Sequence, residues 1–319
     1  MIEEKVSIII PVKAWNKKLE ECLAHCERLE YPDYETILLP DEDIKVPFKS
    51  VIVVPTGPIG PSEKRDIGIK HSTGSIIAFI DDDAFPAKDW IAKAVIHFKN
   101  PEIGGVGGPA VTPENDGLWQ KGSGKVFESS LASGKYVYRY LPRGMRYEDD
   151  YPTVNFILPK KIIEQIGGFN NLYWPGEDTV LCLKITHELK KKIIYDPGVL
   201  VYHHRRQLFR EHNKQVGNYG LHRGYFVKKF PQTSMRPGYF VPSLFVAGLV
   251  VGAILSFFFS WIRITYLSVI GVYLLMVVVS AAHAGNAKLA VLVFLGIIDT
   301  HIVYGVNFIR GLLSKELRR

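Results

Sequence analysis

Through roughly the first 230 of its 319 residues the chain alternates short apolar runs with amphipathic stretches. Residues 5–11 (KVSIIIP) have the length and continuity of a strand buried on both faces. Residues 17–30 place Leu19, Leu23, Cys26 and Leu29 on one face at helical spacing, and Tyr31-Pro32 ends that helix. Strands follow at 34–39, ending at Pro40-Asp41, and at 51–54, and a helix at 62–71 is closed by Gly74. The next apolar run, 75–80, stops abruptly at Asp81, Asp82 and Asp83. Beyond it the pattern predicts a helix at 118–133, a polar, arginine-bearing loop at 134–150, a strand at 151–158 and a short helix at 160–166 ended by Gly167-Gly168. Trp174-Pro175-Gly176-Glu177-Asp178 opens a helix to about residue 192, and Asp196-Pro197-Gly198 turns the chain into a strand at 199–202. This alternation predicts an α/β fold with a mostly parallel sheet. Ligands of such sheets bind beyond the carboxyl ends of the strands, and Asp41, the loop 56–62 and Asp81 to Asp83 all fall on that edge.

From Phe240 the pattern changes. The runs 240–262 and 264–282 each suffice for a spanning helix of roughly 20 residues, and only Arg263 separates them, which predicts a helical hairpin turning near 260–264. A third run, 289–313, is interrupted by Asp299, His301, Asn307 and Arg310, so it either packs inward or lies shallow in the interface. If all three span, Lys315, Arg318 and Arg319 emerge outside, against the positive-inside tendency; if the third lies in the interface, they stay inside. Ahead of the hairpin, Arg205, Arg206, Arg210, Lys214, Arg223, Lys228 and Lys229 face Glu211 alone, interleaved with Leu208, Val216, Tyr219, Phe226 and Phe230. This predicts a basic amphipathic surface helix drawn to anionic membrane lipid. The chain therefore divides into an α/β domain at 1–204, an interfacial region at 205–236 and a membrane domain at 237–319.

The net charge of +7 suits anionic partners. Its concentration beside the apolar runs, without an aromatic-rich binding motif, argues against nucleic acid. Cys22, Cys26 and Cys182 make no disulfide framework and read as small core residues of a reduced, cytoplasmic protein. A strand beginning at Val6 leaves no room for a signal peptide. No phosphate-loop Gly-Lys-Ser/Thr, His-Glu-x-x-His or Cys-x-x-Cys occurs, and the run Gly104-Gly105-Val106-Gly107-Gly108 leads into Pro109 and a polar loop instead of a helix. Dinucleotide and zinc sites are thereby disfavoured.

Three adjacent carboxylates at a strand end repel one another unless something positive joins them. A divalent cation with a phosphate is one answer, since hard cations take oxygen ligands; a solvated acidic turn capping the next helix is the other. Glu177 and Asp178 in a helix's first turn are, taken alone, dipole-capping residues.

In their order, KVSIIIPVK, GPSEKRDIGIKHSTGSIIAFIDDDAFP, GGFNNLYWPGEDTVLCLKI and VYHHRRQLFREHNKQVGNYG resemble family 2 glycosyltransferases over essentially the whole chain. The similarity is greatest to membrane-attached members with a GT-A catalytic domain and a C-terminal helical hairpin. The resemblance implies inverting transfer of a sugar from a nucleoside diphosphate, UDP- or GDP-linked, to an acceptor hydroxyl. Asp81 and Asp83 match the Asp-x-Asp pair: Asp83 would bind Mn or Mg with the diphosphate, and Asp81 the ribose or the metal, with Asp82 beside them. Asp178 matches the general base, taking the acceptor's proton, and Glu177 its neighbour in an acceptor pocket that includes Gly176. Trp174 either stacks on a sugar face or belongs to the core. Pro11, Val12 and Asp41 match positions lining the nucleotide base, although Pro40 replaces the first of two aspartates usual there. Arg65 matches an arginine approaching the nucleotide, whereas Lys64 reads as solvated. His203 is a candidate metal ligand, and Arg205 and Arg206 are either diphosphate contacts or lipid-headgroup contacts.

The processive members' Gln-x-x-Arg-Trp motif is missing: the region reads Gln215-Val216-Gly217-Asn218-Tyr219-Gly220. With too few membrane segments for a channel, this implies addition of one sugar to a lipid-linked or glycan acceptor. Two alternatives stand beside this reading: a polyprenyl-phosphate glycosyl synthase, and a non-catalytic membrane scaffold or binding module.

Overall fold

A computed structural model of the chain describes residues 4–169 and 173–317; 170–172, inside one of the quoted motifs, and Arg318 and Arg319 lie outside the described residues. The strands are β1 (Val6–Pro11), β2 (Tyr34–Leu39), β3 (Val51–Val53), β4 (Ile76–Ile80), β5 (Ala84–Pro86), β6 (Ile103–Gly107), β7 (Ala110–Val111), β8 (Arg146–Glu148), β9 (Asn155–Pro159), β10 (Lys192–Tyr195) and β11 (Val201–His203). The helices are α1 (Lys17–Cys26), α2 (Pro61–His71), α3 (Trp90–Val95), α4 (Leu118–Glu128), α5 (Ser130–Ser133), α6 (Lys160–Gln165), α7 (Glu177–Leu183), α8 (Arg210–Lys229), α9 (Pro231–Ser234), α10 (Pro237–Phe258), α11 (Ser260–Ala282) and α12 (Ala287–Leu313). These fall into two compact units, residues 1–113 with 141–204, and residues 114–140 with 205–319. The second unit thus takes in 114–140, which the sequence pattern had assigned to the α/β domain.

In the first unit, the main sheet has the order β3-β2-β1-β4-β9-β6-β10-β8. Strands β1 to β4, β6 and β10 run one way, while β9 and β8 run against them. The sheet is therefore mostly parallel. A small second sheet, β5-β11-β7, brings His203 opposite Ala84, the residue after the aspartate triplet. The apolar runs that predicted β1 and β4 are buried along their whole length, as two-sided strands require. Asn16 caps α1 by accepting from the backbone N–H groups of Lys18 and Leu19, and Leu19, Cys22, Leu23 and Cys26 turn into the core.

Several elements differ from expectation. The helix expected at 118–133 breaks at Ser129, an extended residue whose hydroxyl caps α5. The helix opened by Glu177 ends at Leu183 and passes through a π-helical turn, Lys184–Glu188, into β10. The glycine run 104–108 is largely strand β6: Gly105 and Gly107 lie against the rings of Phe156 and Tyr151, where a side chain would collide.

Among the described residues, the second unit contains three helices long and apolar enough to cross a membrane, α10, α11 and α12. Helices α10 and α11 form the expected hairpin, which turns at Phe259, between Phe258 and Ser260. Helix α12 does not run down it as an antiparallel third member. Its first turns cluster with Val277 and Ala281 near the end of α11. Its later turns meet the start of α10, where Ser243 donates to the Gly305 carbonyl at 3.2 Å and Phe240 packs on Phe308 with centroids 5.0 Å apart. Helix α12 therefore crosses the open end of the hairpin. Its opposite side lies along α8, close enough at Gly220 and Gly224 that a side chain there would strike the α12 backbone. The basic helix of the sequence reading is thus an apolar-packed partner of α12 as well as a charged one.

Candidate active site

The site lies at the carboxyl ends of β1, β2 and β4, and three consecutive residues of α2 organise it. Lys64 is 3% exposed. Its ammonium donates to the Val12 carbonyl at 2.6 Å, the Leu39 carbonyl at 3.1 Å and Asp41 Oδ1 at 2.5 Å. The reading of Lys64 as a solvated residue is therefore corrected: a buried ammonium needs such partners, and it ties the ends of β1 and β2 together. Val12 and Asp41 meet through it, beside Pro11 at the end of β1. Pro40, where an aspartate was expected, uses its carbonyl to accept from the Thr56 N–H and hydroxyl, both at 2.9 Å, fixing the loop that leads to α2.

Arg65, also buried, forks between two carboxylates: Nη2 donates to Asp81 Oδ1 at 2.8 Å and Nη1 to Glu177 Oε1 at 3.0 Å. One guanidinium thus connects the end of β4 with the start of α7, as its planar, multi-donor geometry allows. Burial pushes the Glu177 carboxyl upward, and Arg65 opposes that rise. Phe169 lies under the guanidinium, 5.6 Å away, and Arg65 Nε is buried with no hydrogen-bond partner among the described residues. Asp66 completes the trio by accepting from the Phe169 N–H at 2.8 Å, which holds the glycine turn before it.

Around the triplet, Asn16 donates to Asp82 Oδ2 at 3.0 Å, and His203 Nε2 lies 3.1 Å from Asp83 Oδ1. Burial, reinforced by Asp83 and Asp81, pushes the Asp82 carboxyl up to about 6 despite the Asn16 bond. The cluster is thus negative charge without full compensation. Among the described residues no group of three or more His, Cys, Asp or Glu side chains converges as a metal cage. The Asp83–His203 pair supplies one carboxylate oxygen and one imidazole nitrogen facing each other. That set fits a divalent cation that completes its shell with water and phosphate oxygens, as nucleotide-bound metals do.

Gly176, at φ +114°, makes the turn into α7 that a side chain would strain. Asp178 follows in the first turn, half-buried, with Oδ1 accepting from the Thr179 N–H at 2.8 Å. Trp174 is 61% exposed, which removes the core alternative for it. Arg205 and Arg206 belong to the second unit. There Arg205 is buried over the Tyr140 ring at 5.1 Å, with its backbone N–H on Asp116 at 3.1 Å, and Arg206 is exposed. They are not among the residues the first unit brings together. Sequence reasoning missed the roles of Lys64, Asp66 and Asn16; only Asn16 carried a local signal, its position as a helix cap.

Comparison with known proteins bears on this arrangement. The family model described as glycosyl transferase family 2 matches residues 7–167. A pre-mycofactocin glycosyltransferase of Mycobacterium tuberculosis is 27% identical over 162 residues, 50% of this chain and 33% of its own length. Glycosyltransferase AglE of Haloferax volcanii is 24% identical over 187 residues, 54% of this chain and 58% of its own. The chain therefore spans only part of these curated relatives. Among solved structures, the mannosyltransferase PcManGT of Pyrobaculum calidifontis, in complex with GDP-Man and Mn2+, superposes with a TM-score of 0.57 at 19% identity, covering 98% of this chain and 88% of that one. GalNAc-T7 with UDP, GalNAc and Mn2+ gives 0.51 at 16% identity, covering 74% and 52%. The fold they share with this chain is GT-A.

Proposed function

Since the chain belongs to glycosyl transferase family 2 and is a glycosyltransferase, we propose that it moves one sugar per encounter from a UDP- or GDP-linked donor to a hydroxyl of a lipid-linked or glycan acceptor, with inversion. The observation that carries this reading is the Arg65 fork, which joins the Asp81 to Asp83 edge to the segment bearing Asp178 inside one unit. Both solved neighbours were obtained with a nucleotide or nucleotide sugar and Mn2+, which supports a donor and a divalent cation here.

Pro11, Val12 and Asp41 lie where the base would rest, and Asp81 where it can accept from the ribose while Arg65 fixes its other oxygen. Asp83 and His203 would hold the cation, which when bound offsets the charge that develops on the departing diphosphate. Glu177 keeps Arg65 in place, so it acts as a positioning residue. Asp178 takes the proton from the acceptor hydroxyl as the oxygen attacks the anomeric carbon. Exposed Trp174 offers a stacking face for an acceptor sugar. Helices α10 and α11 anchor the chain in the membrane, α12 lies in the interface, and the positive-inside tendency puts the basic residues on the cytoplasmic face.

The test is a screen of sugar nucleotides for donor hydrolysis with and without Mn2+, followed by calorimetry of the matching nucleoside diphosphate. Asp83→Ala should abolish metal-dependent donor binding. Asp178→Asn should bind the donor as the wild type does and lose turnover by about 100-fold or more. Full turnover by Asp178→Asn on a hydroxyl acceptor would overturn the base assignment. With a polyprenyl phosphate acceptor, already an anion, undiminished turnover would instead favour the polyprenyl-phosphate glycosyl synthase.

A further inference from the structure

Within the second unit a second polar cluster lies at the open end of the α10–α11 hairpin. The Arg139 guanidinium lies 4.8 Å from the Tyr136 ring centroid. Tyr136 stacks on Tyr239, in the first turn of α10, with centroids 5.6 Å apart and planes 4° from parallel. Arg223 of α8 lies 5.0 Å from the Tyr239 ring. Tyr304 of α12 is within electrostatic reach of both Arg223 and Tyr136. The hydroxyls of Tyr136 and Tyr304 are buried, and neither meets a hydrogen-bond partner among the described residues.

A buried hydroxyl without an acceptor is unfavourable, and here two such hydroxyls lie in a cluster that also holds two guanidinium cations. A phosphate ester satisfies such a set: it accepts from phenolic hydroxyls and takes a guanidinium in a charge-assisted pair. The position points to a membrane lipid as its carrier, because Tyr239 opens the helix whose next exposed apolar residues, Val241 and Leu244, continue into the hairpin. We propose that Tyr136, Tyr304, Arg139 and Arg223 form a recessed binding site for the phosphate ester of a membrane lipid. The inference rests on the lipid-linked-acceptor reading only for its consequence in turnover, not for binding itself.

The full chain in phosphatidylcholine nanodiscs is titrated with radiolabelled farnesyl phosphate, with inorganic phosphate and phosphatidic acid vesicles as competitors. Wild type should retain the probe, and the double variant Tyr136→Phe, Tyr304→Phe should bind it about tenfold or more weakly, since each lost bond is one to a charged group. Its melting temperature without probe should not fall, because the removed hydroxyls had no partner to lose. Unchanged affinity in that variant would overturn the site, and so would a lowered melting temperature, which would mean that the hydroxyls already have partners. Arg223→Gln should weaken binding at least as much. Competition by phosphatidic acid but not by inorganic phosphate supports a membrane lipid; equal competition by inorganic phosphate overturns that part. Loss of probe binding by the variants, with no lipid-linked acceptor serving as substrate, upholds the site and removes the acceptor reading. Transfer to a lipid-linked acceptor with the same KM in wild type and double variant does the reverse.

Discussion

At Arg65 a single buried guanidinium serves two carboxylates, and its removal has a cost that a second substitution can recover. Arg65→Met should destabilise the protein by about 3 kcal/mol, because Glu177 is left as an uncompensated buried charge. In a Glu177→Gln background the same change should cost less than half as much, since the stranded charge is gone. Urea unfolding of the four proteins measures both, and simple additivity would show that the pair is not coupled. Glu35 offers a pH counterpart. Burial pushes its carboxyl up, but hydrogen bonds from Ser7, at 2.6 Å, and from Thr73 outweigh that, and the group falls to about 2. A carboxyl depressed in the folded state stabilises above its unfolded value of about 4.5 and loses that contribution as pH falls towards about 2. Glu35→Gln should therefore lower stability by about 2 kcal/mol at pH 7 and by progressively less below pH 4.5. The carboxylates Asp81 to Asp83 of the candidate site could be read from sequence because they stand at the end of an apolar run. Lys64 could not, since its partners Val12, Leu39 and Asp41 are distant in the chain and only the meeting of β1 and β2 reveals them.

The pairing of α8 with α12 shows what an element's pattern reveals and what it conceals. The basic residues of α8 dominate its sequence, and they predicted a surface helix. Gly217, Gly220 and Gly224 recur at helical spacing on one side of it, and that side is the one against α12. Gly220→Leu should lower stability by about 2 kcal/mol or more through overpacking, measured as thermal unfolding in detergent. Gly238→Ala, with open space where its side chain would go, should leave it unchanged. The same contact buries His212 between Ser123 Oγ at 2.8 Å and Thr300 Oγ1 at 2.9 Å. Burial lowers its imidazole to about 4, so it is neutral when folded. Unfolded, it titrates near 6.5, so the folded state should lose stability as pH falls from about 6.5 towards 4. His212→Asn should flatten that slope; a slope that persists would place its origin in other groups.

At the scale of the molecule, hydropathy reports length and apolarity but not which helix ends meet, so it left the third apolar run undecided. The contacts of α12 decide how it packs. A third antiparallel span would bring the later turns of α12 to the hairpin turn at Phe259; instead Gly305 and Phe308 meet Ser243 and Phe240 at the start of α10. This also explains why Thr300 and His301 interrupt the run. Thr300 bonds His212, and His301 Nε2 lies 3.0 Å from the Leu131 carbonyl, so polar side chains that hydrocarbon would exclude have protein partners. On the proposed reading of two spans and one interfacial helix, the segments before α10 and after α12 would lie on one side of the bilayer and the hairpin turn on the other. The three native cysteines are buried, so single introduced cysteines can be labelled against a low background. In sealed vesicles a membrane-impermeant maleimide should reach Met235→Cys and Ser314→Cys from the same side, and Ser260→Cys only from the opposite one. Labelling of Ser314→Cys together with Ser260→Cys would mean that α12 spans. It would also carry Lys315 away from the basic residues of α8, against the charge asymmetry that orients membrane helices.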